Sequence, residues 1–149
     1  MIFNTNSVIK LSDKYRKEAQ ELIEEYDYRY RRYKLEYSIV LTYIEASDGV
    51  DFSQFTNLRK TDYFHTFQNN LLFMIFDNAA ADGAIKAAGN MLAKFEAKYF
   101  GKKIYTAVIS ASDYPSKEEM SLQIFHLLKY CVDNNLSNLV IDESEMAER

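Results

Sequence analysis

The residue types that could do chemistry in this chain are few and widely spaced. His65 and His126 are the two histidines, and neither has a Cys, a His or a paired acid at metal-ligand spacing. Each reads as a surface or strand residue, and no metal ligand or catalytic residue is assigned. Cys131 is the single cysteine. It excludes an internal disulfide and reads as a small buried hydrophobe, since it lacks a nearby partner that would make it a nucleophile. Gly49, Gly83, Gly89 and Gly101 form no phosphate-cradling loop and fit turns, caps and helix packing. Arg29, Arg31, Arg32 and Lys34 are the one basic cluster, interleaved with Tyr30 and Tyr33. RNA is a conceivable partner for it, but Glu21, Glu24, Glu25 and Asp27 offset the charge, so a solvated helix face is expected. Residues 65–76 read HTFQNNLLFMIF, two apolar runs joined by Gln68, Asn69 and Asn70. That pattern predicts a hairpin whose tip turns the chain, with asparagine taking positive φ where glycine is absent.

Elements that would position these residues follow from periodicity. Ser12 is a candidate N-cap for a long first helix over residues 11–35. Tyr15, Ala19, Leu22, Ile23, Tyr26, Tyr30 and Tyr33 recur along it at steps of three and four. Its other face carries charge from Lys14 to Arg32. Residues 37–44 are β-branched and aromatic and predict a strand; Phe52 to Leu58 predicts one or two helical turns. Strands are expected near 62–67 and 71–77. Asp77-Asn78 is then read as the cap of a helix bearing Ile85, Ala88, Leu92, Phe95 and Tyr99, with Gly101 just past its end. Another strand is expected over 103–110. Ser116 and Glu119 form a capping box for a last helix that turns Leu122, Phe125, Leu128 and Val132 inward. Residues 139–141 predict a closing strand, and 142–149 a frayed acidic tail.

With 149 residues the chain is of single-domain length and can bury a real core; residues 36–141 would form it. Hydrophobic residues at 48% and charged ones at 27% are an ordinary globular balance. A net charge of −4 argues against nucleic acid as a partner. No apolar run reaches signal-peptide or membrane-spanning length, so a soluble cytoplasmic protein is expected, with no membrane contact. The 12 Tyr and 10 Phe, with no Trp, point to a sheet with partly exposed faces. The element order predicts an α+β fold, a ferredoxin-like split βαβ sandwich. Its central antiparallel sheet would carry helices mainly on one face, with an extra N-terminal helix.

In this order the segments resemble the GGDEF domain of diguanylate cyclases, in a shortened and degenerate form. Residues 25–33 followed by Ser38-Ile-Val-Leu41 are similar to the helix and strand that open that domain. Leu58-Arg-Lys-Thr-Asp62, then an aromatic strand and a tight hairpin, are similar to the stretch leading into its signature. Asp82-Gly83-Ala84 and Asn134 to Asn138 fit as well. The resemblance implies a nucleotide site at the hairpin, but the signature position here holds Gln68-Asn69-Asn70-Leu71-Leu72. Glycines that would admit a guanine nucleotide and acids that would hold Mg²⁺ are both missing. The first strand should supply a metal-binding Asp near Tyr43, and the nearest acid is Glu45. Only about a dozen residues remain for the phosphate-contacting helix before Arg59. Cyclase activity is therefore expected to be absent, with no cofactor.

Arg59-Lys-Thr-Asp62 keeps the R-x-x-D form of the family's inhibitory site, which the resemblance implies as a receptor site for cyclic di-GMP. The ordinary alternative is that Arg59 and Asp62 pair or cap at a strand entry. The leading expectation is a non-enzymatic regulatory or scaffold module of bacterial signalling, acting through a protein partner or as a homodimer. Tyr15, Leu22, Tyr26, Tyr30 and Tyr33 are its candidate interface, although the same stripe could pack on its own sheet.

Overall fold

The computed structural model describes residues 5–45 and 61–144, with side chains from residue 10 onward. The short helical stretch expected at Phe52 to Leu58, Arg59, and the tail from residue 145 lie outside the described residues. The described elements are helices α1 (Thr5–Tyr33), α2 (Ala81–Lys98) and α3 (Lys117–Asp133), and strands β1 (Tyr37–Ile44), β2 (Tyr63–Gln68), β3 (Leu71–Asp77), β4 (Ile104–Ser110) and β5 (Val140–Asp142).

One sheet in the order β2-β3-β1-β4-β5 forms the centre. β1 runs antiparallel to both β3 and β4, and β2 antiparallel to β3; β5 joins β4 in parallel. β3 and β4 therefore run in one direction with β1 inserted between them, which is the split βαβ arrangement expected from the element order. The sheet is mixed and open, antiparallel through its first four strands.

Alternation along the strands explains the layers. Tyr37, Ile39, Leu41 and Tyr43 of β1, with Leu71, Phe73 and Ile75 of β3, meet α1 and α3. Val40 and Ile44 of β1, with Leu72, Met74 and Phe76 of β3, meet α2. The helices thus divide two to one between the faces. All residues of β1, β3 and β4 are buried, and the edge strands β2 and β5 are partly exposed. The partly exposed faces expected from the aromatic content are confined to these edge strands. The rings are spent on internal stacking: Phe67 meets Tyr15, Phe73 and Phe125 at centroid distances of 4.9, 5.5 and 6.4 Å.

Two helix starts differ from the sequence reading. Helix α1 begins at Thr5 rather than near Ser12, and buried Leu11 extends the stripe one turn upstream of Tyr15. Helix α2 has no Asp77-Asn78 cap; its N-cap is Ala80, without a side-chain hydrogen bond. Asp77 is held by the sheet, paired with Tyr37, and Asn78 turns the chain at φ 50°. The Ser116 cap is present, its Oγ accepting from the Glu119 amide at 3.1 Å. The Glu119 carboxylate accepts from the Gln123 side chain. Gly101, past the end of α2, takes φ 88°.

The α1–sheet–α3 layer contains a buried charge at Asp27. Asp27 accepts a hydrogen bond from the Tyr37 hydroxyl at 2.8 Å and pairs with Arg31 at 3.2 Å. Arg31 also donates to the Tyr114 carbonyl at 3.1 Å, and the Tyr37 hydroxyl lies 3.0 Å from the Met120 sulfur. Burial first, and then the Asp27 charge, push the Tyr37 hydroxyl far above the ordinary range, so it stays a donor. Asp27→Ala is expected to cost about 2–4 kcal/mol in urea unfolding, because it strands a buried hydroxyl and a cation. Adding Tyr37→Phe should recover part of that loss; full additivity of the two changes would show that the pair does not interact.

At the far edge Glu143 follows β5 and meets Asp113, which ends a short 3-10 turn at Ala111–Asp113. Its Oε2 is buried with no hydrogen-bond partner. Burial, followed by the hydrogen bond with Asp113, raises its pKa from 4.5 to about 8. A carboxyl raised on folding contributes stability while protonated and loses it as pH rises through its folded value. Stability should therefore decline between pH 4.5 and 8, and Glu143→Gln should flatten that slope in urea titrations at several pH values. An unchanged slope in the variant would assign the decline to another group.

Candidate functional site

The hairpin between β2 and β3 has its tip at Gln68, Asn69 and Asn70, as the sequence predicts. The turn is made differently, however. Neither Asn69 nor Asn70 takes positive φ; among the described residues those that do are Lys34, Asn78, Asn135, Asn138 and Gly101. A register shift between Thr66 and Gln68 takes up the turn, and side chains close it. The Tyr15 hydroxyl of α1 donates to Gln68 Oε1 at 3.1 Å, and Gln68 Nε2 donates to Asn70 Oδ1 at 2.7 Å. Asn70 Nδ2 donates to the Ile44 carbonyl at 3.3 Å, and the Ile44 amide donates to the Asn70 carbonyl at 2.9 Å. Asn70 also hydrogen-bonds the Tyr43 hydroxyl; burial raises that hydroxyl's pKa, and the Asn70 bond offsets part of the rise. The Gln68 and Asn70 side chains are thus turned inward, onto a helix on one side and the central strand on the other, while Asn69 is exposed.

The chemistry available around this tip is limited. Glu45, just past the end of β1, raises the pKa of Tyr43 and Tyr105, in each case behind burial. Among the described residues no group of three or more His, Cys, Asp or Glu is placed to hold a metal ion. Amides and phenols are weak ligands for Mg²⁺, which requires hard anionic oxygens. The described residues around the tip do not fit a metal–nucleotide site.

Asp62, the described half of the R-x-x-D motif, lies just before β2. Its Oδ1 accepts from the Asp77 amide at 2.9 Å, closing the open end of β3. The Asp77 carboxylate is met by Arg29 at 3.4 Å, so Asp62, Asp77 and Arg29 form one cluster at the α1 end of the hairpin. The Tyr26 hydroxyl donates to the Thr61 carbonyl beside it, at 3.1 Å.

The tyrosine stripe of α1 is divided by the packing. Tyr15 is buried in the core, and Leu22, Tyr26 and Tyr30 are half-buried against it. Tyr33 is the member left in solvent, 59% exposed. The basic cluster on the same helix is also engaged: Arg29 with Asp77, Arg31 with Asp27, and Arg32 over the Tyr33 ring at 5.6 Å. His126 is exposed, whereas His65 reaches Glu18 of α1 at 2.6 Å. Cys131 is buried. The sequence reading missed the inward role of Asp27 and the bonding of Gln68 and Asn70. A clue to Asp27 was present in its position, one turn after Ile23 on the buried stripe.

Against known proteins, no family model matches the chain, and no curated protein matches it in sequence. Solved structures do match. The GGDEF domain of TpbB (YfiN) from Pseudomonas aeruginosa superposes with a TM-score of 0.69 at 8% identity, over 87% of this chain and 92% of that one. A microbial GGDEF domain, described with bis-(3,5)-cyclic di-GMP, superposes with a TM-score of 0.68 at 8% identity, over 85% and 92%. The diguanylate cyclase SiaD, solved with its activator SiaC from Pseudomonas aeruginosa, gives 0.64 at 8% identity; the match spans 85% of this chain and 57% of that one. The chain has the fold of a GGDEF domain, with a highly divergent sequence.

Replacing Asn70 by Ala should cost about 1–2 kcal/mol in urea unfolding, since it leaves the Ile44 carbonyl and the Gln68 amide without their partner. Asn69→Ala, at the neighbouring position where no bond is recorded, should cost less than about 0.5 kcal/mol. Equal losses at the two positions would show that the Asn70 side chain does not fasten the tip.

Proposed function

We propose that this chain is a non-catalytic regulatory module of bacterial signalling, a GGDEF-type fold that works through protein contacts. The observation that carries this reading is the hairpin tip. Where an active domain of this fold would present glycines and acids to a nucleotide, Gln68 and Asn70 bond inward to Tyr15, Tyr43 and Ile44. The Gln68 and Asn70 side chains are engaged inside the chain, and among the described residues no group of three or more His, Cys, Asp or Glu is placed to hold a metal ion, so the tip offers little to a nucleotide and its metal ions. The solved complex of SiaD with its activator SiaC supports protein contact as a mode available to the fold. Solvent-facing residues of α1, Tyr28 and Tyr33 among them, are the proposed contact surface, with a second copy or another protein as partner.

A second reading, a cyclic di-GMP receptor through Arg59 and Asp62, has the motif itself and a neighbour described with that nucleotide in its favour. Asp62 already caps the β3 end through its Oδ1, and a receptor would need it to accept from guanine as well.

Incubation with GTP and Mg²⁺ should give no cyclic di-GMP by chromatography, and rebuilding residues 68–72 as Gly-Gly-Asp-Glu-Phe should not restore product. Product from the native chain would overturn the non-catalytic reading. Calorimetric titration with cyclic di-GMP separates the two readings. A receptor would bind at micromolar strength or better, about −8 kcal/mol, and lose it with Arg59→Ala; the contact module shows no heat of binding.

A further inference from the structure

Between α1 and the edge strand β2 lies a groove of about 660 Å³. Leu22 and Tyr26, packed against the core below, form its base, and Tyr63 of β2 lines it together with Glu21, Glu25 and Tyr28 of α1. Tyr28 and Tyr63 are 57% and 38% exposed, two large aromatic side chains that the core does not use. Among the described residues β2 is the last strand of the sheet on this side, so the groove runs beside an open strand edge.

We infer that this groove is the docking site for an extended, arginine-bearing segment of a partner protein; the inference rests on the reading that the domain acts through protein contacts. Three observations select that occupant. Charge is the first. Glu21, Glu24 and Glu25 line the groove and are exposed; Lys117 meets Glu24, and Arg29 is met by Asp77. The pKa of the Tyr26 hydroxyl at the groove base is raised, first by burial and next by Asp77; Arg29 works against this, and Asp62 and Glu25 add to it. Among the described residues the charge that lines the groove is therefore negative. It disfavours a nucleotide or nucleic acid and favours a cation.

Spacing is the second. Glu21 and Glu25 lie one helical turn apart, about 6 Å along the axis. Alternate side chains of an extended strand repeat at about 6.6 Å, so cations at positions i and i+2 of a strand meet the two carboxylates together. Ring chemistry is the third. Guanidinium groups stack on tyrosine faces better than ammonium groups do. Helix α1 already makes this contact within the chain, with Arg29 over Tyr26 at 5.0 Å and Arg31 over Tyr30 at 4.9 Å. Tyr28 and Tyr63 offer the same kind of surface to an arginine from outside.

The test uses a fluorescein-labelled eight-residue peptide alternating arginine and leucine, titrated with the full chain and read by anisotropy. Binding is expected, weakening as salt rises, and the peptide with glutamate in place of arginine should not bind. Glu21→Gln with Glu25→Gln should weaken binding about tenfold, the sum of two exposed charge pairs, at unchanged melting temperature. Tyr63→Ala should weaken it as well. Unchanged affinity in the double variant, or equal binding of the acidic peptide, would overturn the proposal. So would a monomer–dimer equilibrium in sedimentation that shifts with the double variant, because the occupant would then be a second copy. Assay of the same preparation for cyclic di-GMP synthesis keeps the two readings apart. Absence of both product and peptide binding sinks the groove alone, whereas product sinks the non-catalytic module whatever the peptide does.

Discussion

The constraint on which the rest depends is the burial of β1 on both faces. All eight of its residues are out of solvent, and it pairs along its length with β3 and β4. An antiparallel strand with one wet face would alternate polar and apolar residues; YSIVLTYI does not. Its few polar residues are matched across the sheet. Ser38 faces Ser110 with hydroxyls 2.8 Å apart, and Thr42 faces Thr106 in the same register. Once both faces must be covered, helices are required on each. Helix α2 takes one, and α1 with α3 take the other.

That requirement decides what α1 has left to offer. Its stripe of Leu11, Tyr15, Ala19 and Ile23 is consumed in covering β1 and β3, and Asp27 is drawn into the same layer by the Tyr37 hydroxyl. A helix committed in this way presents its flanks rather than its apolar stripe. The exposed flank bears Glu21, Glu25 and Tyr28 beside the edge strand, so a contact surface there is acidic and aromatic rather than greasy. Burying the stripe and exposing the flank are two results of one packing choice.

Much of the fold was legible because long apolar or β-branched runs have few alternatives. The bounds of β1 and β3 could be read from 37–44 and 71–77, and the Ser116 cap from its spacing to Glu119. The start of α1 was not, because a Ser-Asp pair within a helix looks like a cap until Leu11 is seen to be buried upstream. The cap of α2 failed for a related reason. Asp77 can cap a helix or end a strand, and the choice depends on Asp62 and Arg29, distant residues that no local pattern announces. The site was less legible than the fold. Amides at a turn suggest positive φ, yet Gln68 and Asn70 found partners on α1 and β1, and those long-range bonds set the backbone instead.

The same bonds bear on how a GGDEF-type fold could lose one activity and keep its shape. A glycine-rich tip is held open for a ligand at a conformational cost, since glycine surrenders the most freedom on folding. A tip whose Gln68 and Asn70 bond to Tyr15 and Ile44 is instead a structural turn, fastened from within the chain. On the proposed reading, contact falls to surfaces the core leaves free. The acidic groove beside β2 is such a surface. It shares Tyr26 with the Asp62–Asp77–Arg29 cluster that ends the hairpin, so its shape is tied to the same element as the tip.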